Sequence, residues 1–260
     1  YLGKYYFVQD HEPEFYPTGS DSLLAQKTYE FDLACICASP WLDQIMGERY
    51  GRWSRAFNLA YDHQVYYQTR GLPEFERKRT EENARFKIAV YARAHTARRC
   101  VELALEGLRL LGQQRDDFEV HLFGQDEMPF KAANFHAYGH RVLSAEKLAQ
   151  LYNECDMGVC FSGTNYSLVP QEMMACGLPL VELDTDSTNA IYPEHAVTLA
   201  GPAPQDICNK ICHLMDNPAR LEEQRRHALD WVQGFNWEQS ARTVESAITD
   251  FLLEKNKISQ

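Results

Sequence analysis

Ser162, Gly163, Thr164 and Asn165 follow a short apolar run, Met157 to Phe161, and precede Ser167 to Pro170, where a helix can begin. Small polar residues between a buried strand and a helix start turn the chain. Ser167 suits the N-cap, or Pro170 the first helical position, where its missing N–H costs nothing. Either start leaves N–H groups pointing back at the turn, and together with the helix dipole they form a site for an anion such as a diphosphate. Glu172 falls in the first turn of that helix, within reach of a neighbouring hydroxyl. On spacing alone a second reading stays open: any βαβ unit needs such a turn, and Glu172 then only complements the dipole. Arg93, Arg98 and Arg99 form a second constellation. Three cations at a helix N-terminus oppose its dipole and call for an anion, unless they are simply a solvated helix start. His11 closes a third, in Gln9-Asp10-His11-Glu12-Pro13, at the C-terminal end of the apolar run Lys4 to Val8; its plainer reading is a loop cap.

The elements that must position these residues alternate along the chain. Lys4 to Val8 is a strand, Ser22 to Phe31 a helix, Leu33 to Ala38 a strand, and Pro40 to Tyr50 a helix closed by Gly51. Asn58 to Tyr67 is a further extended piece, and Gly71 to Asn83 is charged, carries Pro73 and lacks an apolar period, as a linker does. The pattern restarts with FKIAVYAR as a strand, Arg98 to Gly112 as an amphipathic helix and FEVHLFG as a strand. Phe135 to Tyr138, the helix Ser144 to Cys155, the segment from Met157 to Asp184 and a last strand, Ala196 to Leu199, continue it. Three helices close the chain: Pro204 to Asn217, Pro218 to Gly234 and Trp237 to Lys255. Strands alternating with helices of this length predict an α/β fold, a doubly wound parallel sheet with both faces covered. Ligands of such sheets bind beyond the C-terminal ends of the strands, where His11, Arg93 and Ser162 to Asn165 all lie.

Composition removes several classes of function. The 260 residues are 45% hydrophobic, enough for one sizeable core or two modest ones. A formal charge of −11, with no Lys/Arg run longer than three, argues against a nucleic-acid surface. The eight cysteines sit in apolar strands or helices without CxxC spacing, as reduced core thiols of a cytoplasmic protein do. Cys208 and Cys212 lie one helical turn apart beside His213, but buried packing is the stronger reading than a metal site. No apolar stretch approaches the roughly 20 residues of a membrane span, which leaves peripheral membrane contact, on the cytoplasmic side, as the expectation.

Several segments resemble one family. PQEMMACGLPLVE resembles the EAMACGxPVV segment of the retaining GT-B glycosyltransferases of the GT4 type. The resemblance implies that Glu172 holds the ribose of a nucleotide-sugar. The family pattern is E-x7-E, and Thr164 stands where its first Glu, which touches the transferred sugar, would be. Sub-branches that include rhamnosyltransferases of cell-surface polysaccharide synthesis lack that Glu too. YFVQDHEPEFYP, followed by ICASPWLDQIMGERYG, resembles the late part of the family's N-terminal half, which implies that His11 hydrogen-bonds the sugar near the reacting carbon. YARAHTARRCVELALEGL resembles the opening of the C-terminal half, which implies that Arg93 and Arg98, with Arg99 as the alternate for the second position, grip the diphosphate. Ser162, Gly163, Thr164 and Asn165 would add their N–H donors to the same group. FNWEQSA resembles the family's F-x-W segment.

The resemblance implies a GT-B architecture: a partial or minimal N-terminal, acceptor-side Rossmann-like domain over 1–70, a linker over 71–84, a nucleotide-sugar-binding Rossmann-like domain over 85–235, and a C-terminal helix over 236–260 packing back on the N-terminal part. Such enzymes carry a longer N-terminal domain, so the chain is expected to be a fragment, a module of a larger protein or a minimal form. The implied activity is transfer of a sugar, rhamnose by the sub-branch resemblance, from a nucleoside diphosphate to a saccharide or lipid-linked saccharide acceptor, with retention and with no cofactor. Asp184-Thr185-Asp186 mimics the DxD metal motif of the other glycosyltransferase fold, but it reads as a turn after a strand, and arginines with a helix dipole already neutralise a diphosphate. Two alternatives remain: a noncatalytic nucleotide-sugar binding module, and a sugar-nucleotide epimerase, which would need more carboxylates around the sugar than Glu172.

Overall fold

The computed structural model describes residues 3–69, 85–127 and 133–258. The linker expected over 71–84 lies outside the described residues. The chain divides into two units, one formed by residues 1–61, 189–191 and 235–260, the other by 62–188 and 192–234.

The first unit is a parallel sheet of β1 (Tyr5–Val8), β2 (Ala34–Cys37) and β3 (Ser54–Ala56), in the order β1-β2-β3, with Tyr5 opposite Ala34 and Cys35 opposite Ser54. Helix α1 (Ser20–Thr28) joins β1 to β2. Helix α2 (Pro40–Gln44) starts at Ser39, whose Oγ accepts from the Leu42 N–H at 3.2 Å, with Pro40 in the first turn. The single helix expected from Pro40 to Tyr50 instead passes into a π-turn, Ile45–Arg49. It does so where the Ser54 hydroxyl donates to the Asp43 carbonyl at 3.1 Å, a side-chain bond inserted into the helix ladder. Gly51, at φ 61°, then stops the turn. The extended piece expected over Asn58 to Tyr67 is absent. The strand is β3, a few residues earlier, and Asp62 turns the later segment by accepting from the Gln64 N–H with its side chain and from the Tyr66 N–H with its carbonyl, both at 2.9 Å. Val8, Tyr29, Cys35, Cys37, Leu42 and Met46 form the core. The long C-terminal helix, Trp237–Ile258, belongs to this unit: the Tyr5 hydroxyl donates to the Ile248 carbonyl at 3.2 Å and the Ser240 hydroxyl to the Asn58 carbonyl at 2.6 Å.

The second unit is a six-stranded parallel sheet: β4 (Phe86–Tyr91), β5 (Phe118–Phe123), β6 (His136–Gly139), β7 (Met157–Val159), β8 (Leu180–Leu183) and β9 (Thr198–Ala200). Their order, β6-β5-β4-β7-β8-β9, is that of a dinucleotide-binding sheet, and it reverses between β4 and β7. Helix α3 (Val101–Gln114) buries Val101, Ala104, Leu105, Leu108 and Leu111, the three-and-four spacing of one apolar face. It lies so close to α7 (Pro204–Asp216) that a Cβ on Gly107 would come within 2.5 Å of Ile207. Ser144 caps α4 (Ala145–Glu154), and α8 (Pro218–Val232) follows α7 directly. Asp184-Thr185-Asp186 is not a plain turn. Thr185 is the N-cap of a short helix, α6 (Asp186–Ile191), and exchanges bonds with Thr188 in a capping box.

Candidate functional site

The reversal of strand order leaves a crevice beyond the C-terminal ends of β4 and β7, the place where open α/β sheets bind ligands. From β4 the chain runs through Ala92 to Cys100; from β7 it runs through Cys160 to Asn165. The two loops are bonded to each other: the Gly163 N–H donates to the Arg98 carbonyl at 2.8 Å, and Arg99 Nη1 donates to Ser162 Oγ at 2.9 Å.

The arginines take three different positions. Arg93 is exposed, its Nε donating to His95 Nε2 at 2.9 Å; Arg98 is half-buried; Arg99 is buried. The expected helix start at Arg98 is corrected. Arg98 and Arg99 lie in a separate turn, Ala97–Arg99, and Cys100, left-handed at φ 45° and ψ 37°, divides that turn from α3. Arg99 is thereby turned inward onto Ser162, which leaves Arg98 as the guanidinium nearer solvent.

The Ser162–Asn165 turn also differs from expectation. Ser162, Thr164 and Asn165 are buried and only Gly163 is exposed. The Ser162 N–H donates to Glu182 Oε1 at 2.7 Å, so neither it nor the Gly163 N–H is turned to a ligand. The following helix, α5 (Val169–Ala175), starts after Ser167, with Leu168 in the cap position and Pro170 in the first turn. It ends as a Schellman motif: Gly177, at φ 75°, donates to the Met174 carbonyl at 2.9 Å, and Leu178 to the Met173 carbonyl at 3.0 Å. Glu172 lies in the first turn of α5, half-buried. Burial pushes its carboxyl up to about 7, opposed by a hydrogen bond from the Tyr66 hydroxyl.

Glu182, Tyr66 and Arg141 join the candidate site, and sequence reasoning passed over them. Glu182 is wholly buried in β8, and its Oε1 also accepts from the Leu183 N–H at 2.9 Å. The signal was one acid inside the apolar strand LPLVEL. Arg141, just after β6, holds φ 61°, and its carbonyl accepts from the Gly124 N–H at 3.0 Å. It shares a small cleft with Ala92, Phe123 and Gln125, at the same end of the sheet.

In the first unit His11 follows β1 and is buried. Nδ1 meets Glu14 Oε1 at 2.8 Å and Nε2 meets the Tyr50 hydroxyl at 2.9 Å, so both ring nitrogens are engaged. The ring stacks on Tyr29 (5.8 Å, 11°) and meets Trp41 edge-on. Cys208 packs in the core of the second unit, its Sγ 3.5 Å from Gln114 Nε2. Among the described residues no group of three or more His, Cys, Asp or Glu is placed to hold a metal ion, and no helix is long and apolar enough to cross a membrane.

Residues 86–212 match the family described as WsaF, C-terminal domain. Over 250 residues the chain is 30% identical to the O-antigen biosynthesis protein RfbC of Myxococcus xanthus, covering 92% of this chain and 18% of RfbC. The chain thus spans 18% of the length of that relative. Anabaena HepE, solved in complex with UDP and glucose, superposes with a TM-score of 0.71 at 14% identity, over 94% of this chain and 71% of HepE. Sucrose-phosphate synthase from Thermosynechococcus elongatus gives 0.68 at 16%, over 97% and 68%, and TarM gives 0.73 at 13%, over 94% and 50%. These likenesses show the fold: two parallel Rossmann-like sheets of the GT-B glycosyltransferase type.

Proposed function

We propose that this chain is part of a glycosyltransferase of the GT4 type that moves a sugar, with rhamnose the candidate, from a nucleoside-diphosphate donor to a saccharide or lipid-linked saccharide acceptor in cell-surface polysaccharide synthesis. The observation that carries the proposal is the crevice where strand order reverses, with its two loops hydrogen-bonded together, Arg93 and Arg98 on the loop after β4, and Glu172 in the helix that follows the loop after β7. Breaking the anomeric bond puts negative charge on the departing diphosphate. Arg93 and Arg98 stay charged throughout and can each present two parallel donors to phosphate oxygens, so they stabilise that charge without a metal. Glu172 accepts from the ribose hydroxyls, and His11 in the first unit positions the transferred sugar. The likeness to a protein named for O-antigen biosynthesis supports the polysaccharide setting, and the UDP complex of HepE supports the donor class. Retention of configuration and a place on the cytoplasmic side of the membrane, peripheral to it, belong to the same proposal.

A thermal-shift and calorimetric titration with UDP, GDP, dTDP and their common sugars tests it, since a ligand that binds only the folded state raises the unfolding midpoint. One nucleotide is expected to raise it strongly, and Arg93→Ala to remove the rise. No rise with any nucleotide overturns the reading. A second reading, a noncatalytic nucleotide-sugar binding module, is favoured by Thr164 in place of an acid. His11→Ala separates the two, lowering turnover about a hundredfold in the transferase and changing nothing in the binding module.

A further inference from the structure

We propose that Glu182 is a positioning residue of the nucleotide crevice: with Arg99 it forms a buried clasp that fixes the Ser162–Gly163 turn against the Arg98 loop. The inference rests on the reading of the crevice as a diphosphate site and adds to it a residue that touches no ligand. Glu182 Oε1 accepts the N–H groups of Ser162 (2.7 Å) and Leu183 (2.9 Å), Arg99 closes on Ser162 Oγ (2.9 Å), and Gly163 donates to the Arg98 carbonyl (2.8 Å). Three of these bonds run from the middle of β8, through the turn after β7, to the arginine loop after β4, and the fourth, from Leu183, lies within β8. Glu182 is wholly buried, opposite Leu199 of β9 in the sheet.

A carboxylate in an apolar strand needs either a cation bonded to it or a proton. The titratable groups around Glu182 are Arg99 and Cys100 from the arginine loop, Cys160 from the end of β7, and Tyr192 after α6. Arg99 is bonded to Ser162, and burial pushes Glu182 up to about 8 against the opposing effect of its two N–H bonds and Arg99. Burial thus favours the protonated carboxyl at neutral pH. With Oε1 accepting twice, the proton belongs on Oε2, which has no partner among the described residues. Above about pH 8 the carboxylate forms, binds its two N–H donors more strongly and faces Arg99 as an ion, so the clasp changes its hold on the turn.

The test compares wild type, Glu182→Gln and Glu182→Ala by calorimetric titration with UDP, GDP and dTDP from pH 6.5 to 9.5, with a thermal midpoint for each protein. Gln keeps the Oε1 acceptor and cannot ionise. It is expected to bind the preferred nucleotide as wild type does at neutral pH and to lack the change in affinity that wild type shows above about pH 8. Ala leaves the Ser162 and Leu183 N–H groups without this acceptor and should weaken binding about tenfold. Identical affinities and pH profiles in all three proteins overturn the clasp. So does an equal loss in Gln and Ala that merely follows their thermal midpoints. If wild type binds no nucleotide at any pH, the diphosphate reading fails instead, and hydrogen exchange at the Ser162 and Gly163 amides decides the clasp. Protection that changes above about pH 8 in wild type but not in Glu182→Gln supports it, and the same protection in both overturns it.

Discussion

The His11 ring, at the end of β1, is held by side chains: Glu14 and Tyr50 take its nitrogens and Tyr29 and Trp41 its faces. Ser162, at the end of β7, is held chiefly through its main chain, by Glu182 beneath it and, next door, by the Gly163 bond to the Arg98 carbonyl. The first arrangement orients one ring within a cage that individual substitutions can open. The second fixes a stretch of backbone, and with it the origin of two guanidinium groups, so it suits a charged group whose position must not vary. A histidine with both nitrogens engaged is also preorganised but not free. Contact with a sugar requires it to exchange either the Glu14 or the Tyr50 bond for a substrate hydroxyl.

If the crevice carries the anion, removing both Arg93 and Arg98 should have the largest effect, about 3 kcal/mol or near a hundredfold in nucleotide affinity. Calorimetry measures it, and an unchanged Kd would place the diphosphate elsewhere. His11→Ala should do the reverse, leaving nucleotide affinity intact while lowering kcat about a hundredfold, the loss typical of a group acting on the reacting centre. Steady-state kinetics beside the binding data sharpen or erase the division between the units.

Glu172→Gln should weaken nucleotide binding about tenfold. Because burial raises the Glu172 carboxyl to about 7, wild-type affinity should climb as pH passes that value and the acceptor form appears, and the Gln variant should lack the climb. Stability carries the opposite slope. Glu172 and Glu182, pushed from 4.5 to about 7 and about 8, bind protons more tightly in the folded than in the unfolded chain. Their contribution is complete below pH 4.5 and is lost as pH rises through about 7 and about 8. Thermal midpoints at pH 5 and pH 9 should therefore lie closer together in the two Gln variants than in wild type. The smallest effect expected is that of Gly177→Ala, about 1 kcal/mol of stability, because alanine is strained at the positive φ that ends α5. Urea unfolding measures it, with nucleotide affinity unaltered.

Much of this arrangement was legible before any coordinates. FKIAVY and FEVHLF are apolar runs of strand length, and they form β4 and β5; the Gly-Leu-Pro after Ala175 marks the end of α5. What escaped was decided by neighbours distant in sequence. β3 is three residues, Ser-Arg-Ala, with no apolar run of its own, and it is a strand because Cys35, Ile36 and Cys37 offer it a ladder. α6 opens with four polar residues and is started by its Thr185–Thr188 capping box, a signal that the resemblance of Asp184-Thr185-Asp186 to a metal motif obscured. Arg98 and Arg99 are interchangeable by spacing; one left-handed residue, Cys100, sends the second inward. Glu182 could not be ranked as a site residue from sequence, because its meaning comes from the Ser162 amide twenty positions away.

The break at Cys100 has a mechanical consequence. A guanidinium at the start of a continuous fourteen-residue helix would move with every shift of that rod, including those imposed by α7 at the Gly107 contact. Here the arginines ride instead on a three-residue turn joined to the helix through a left-handed residue and anchored to the loop after β7. Repacking on the far face of α3 is thus absorbed at a joint, and the charged end of the crevice keeps its register with the sheet.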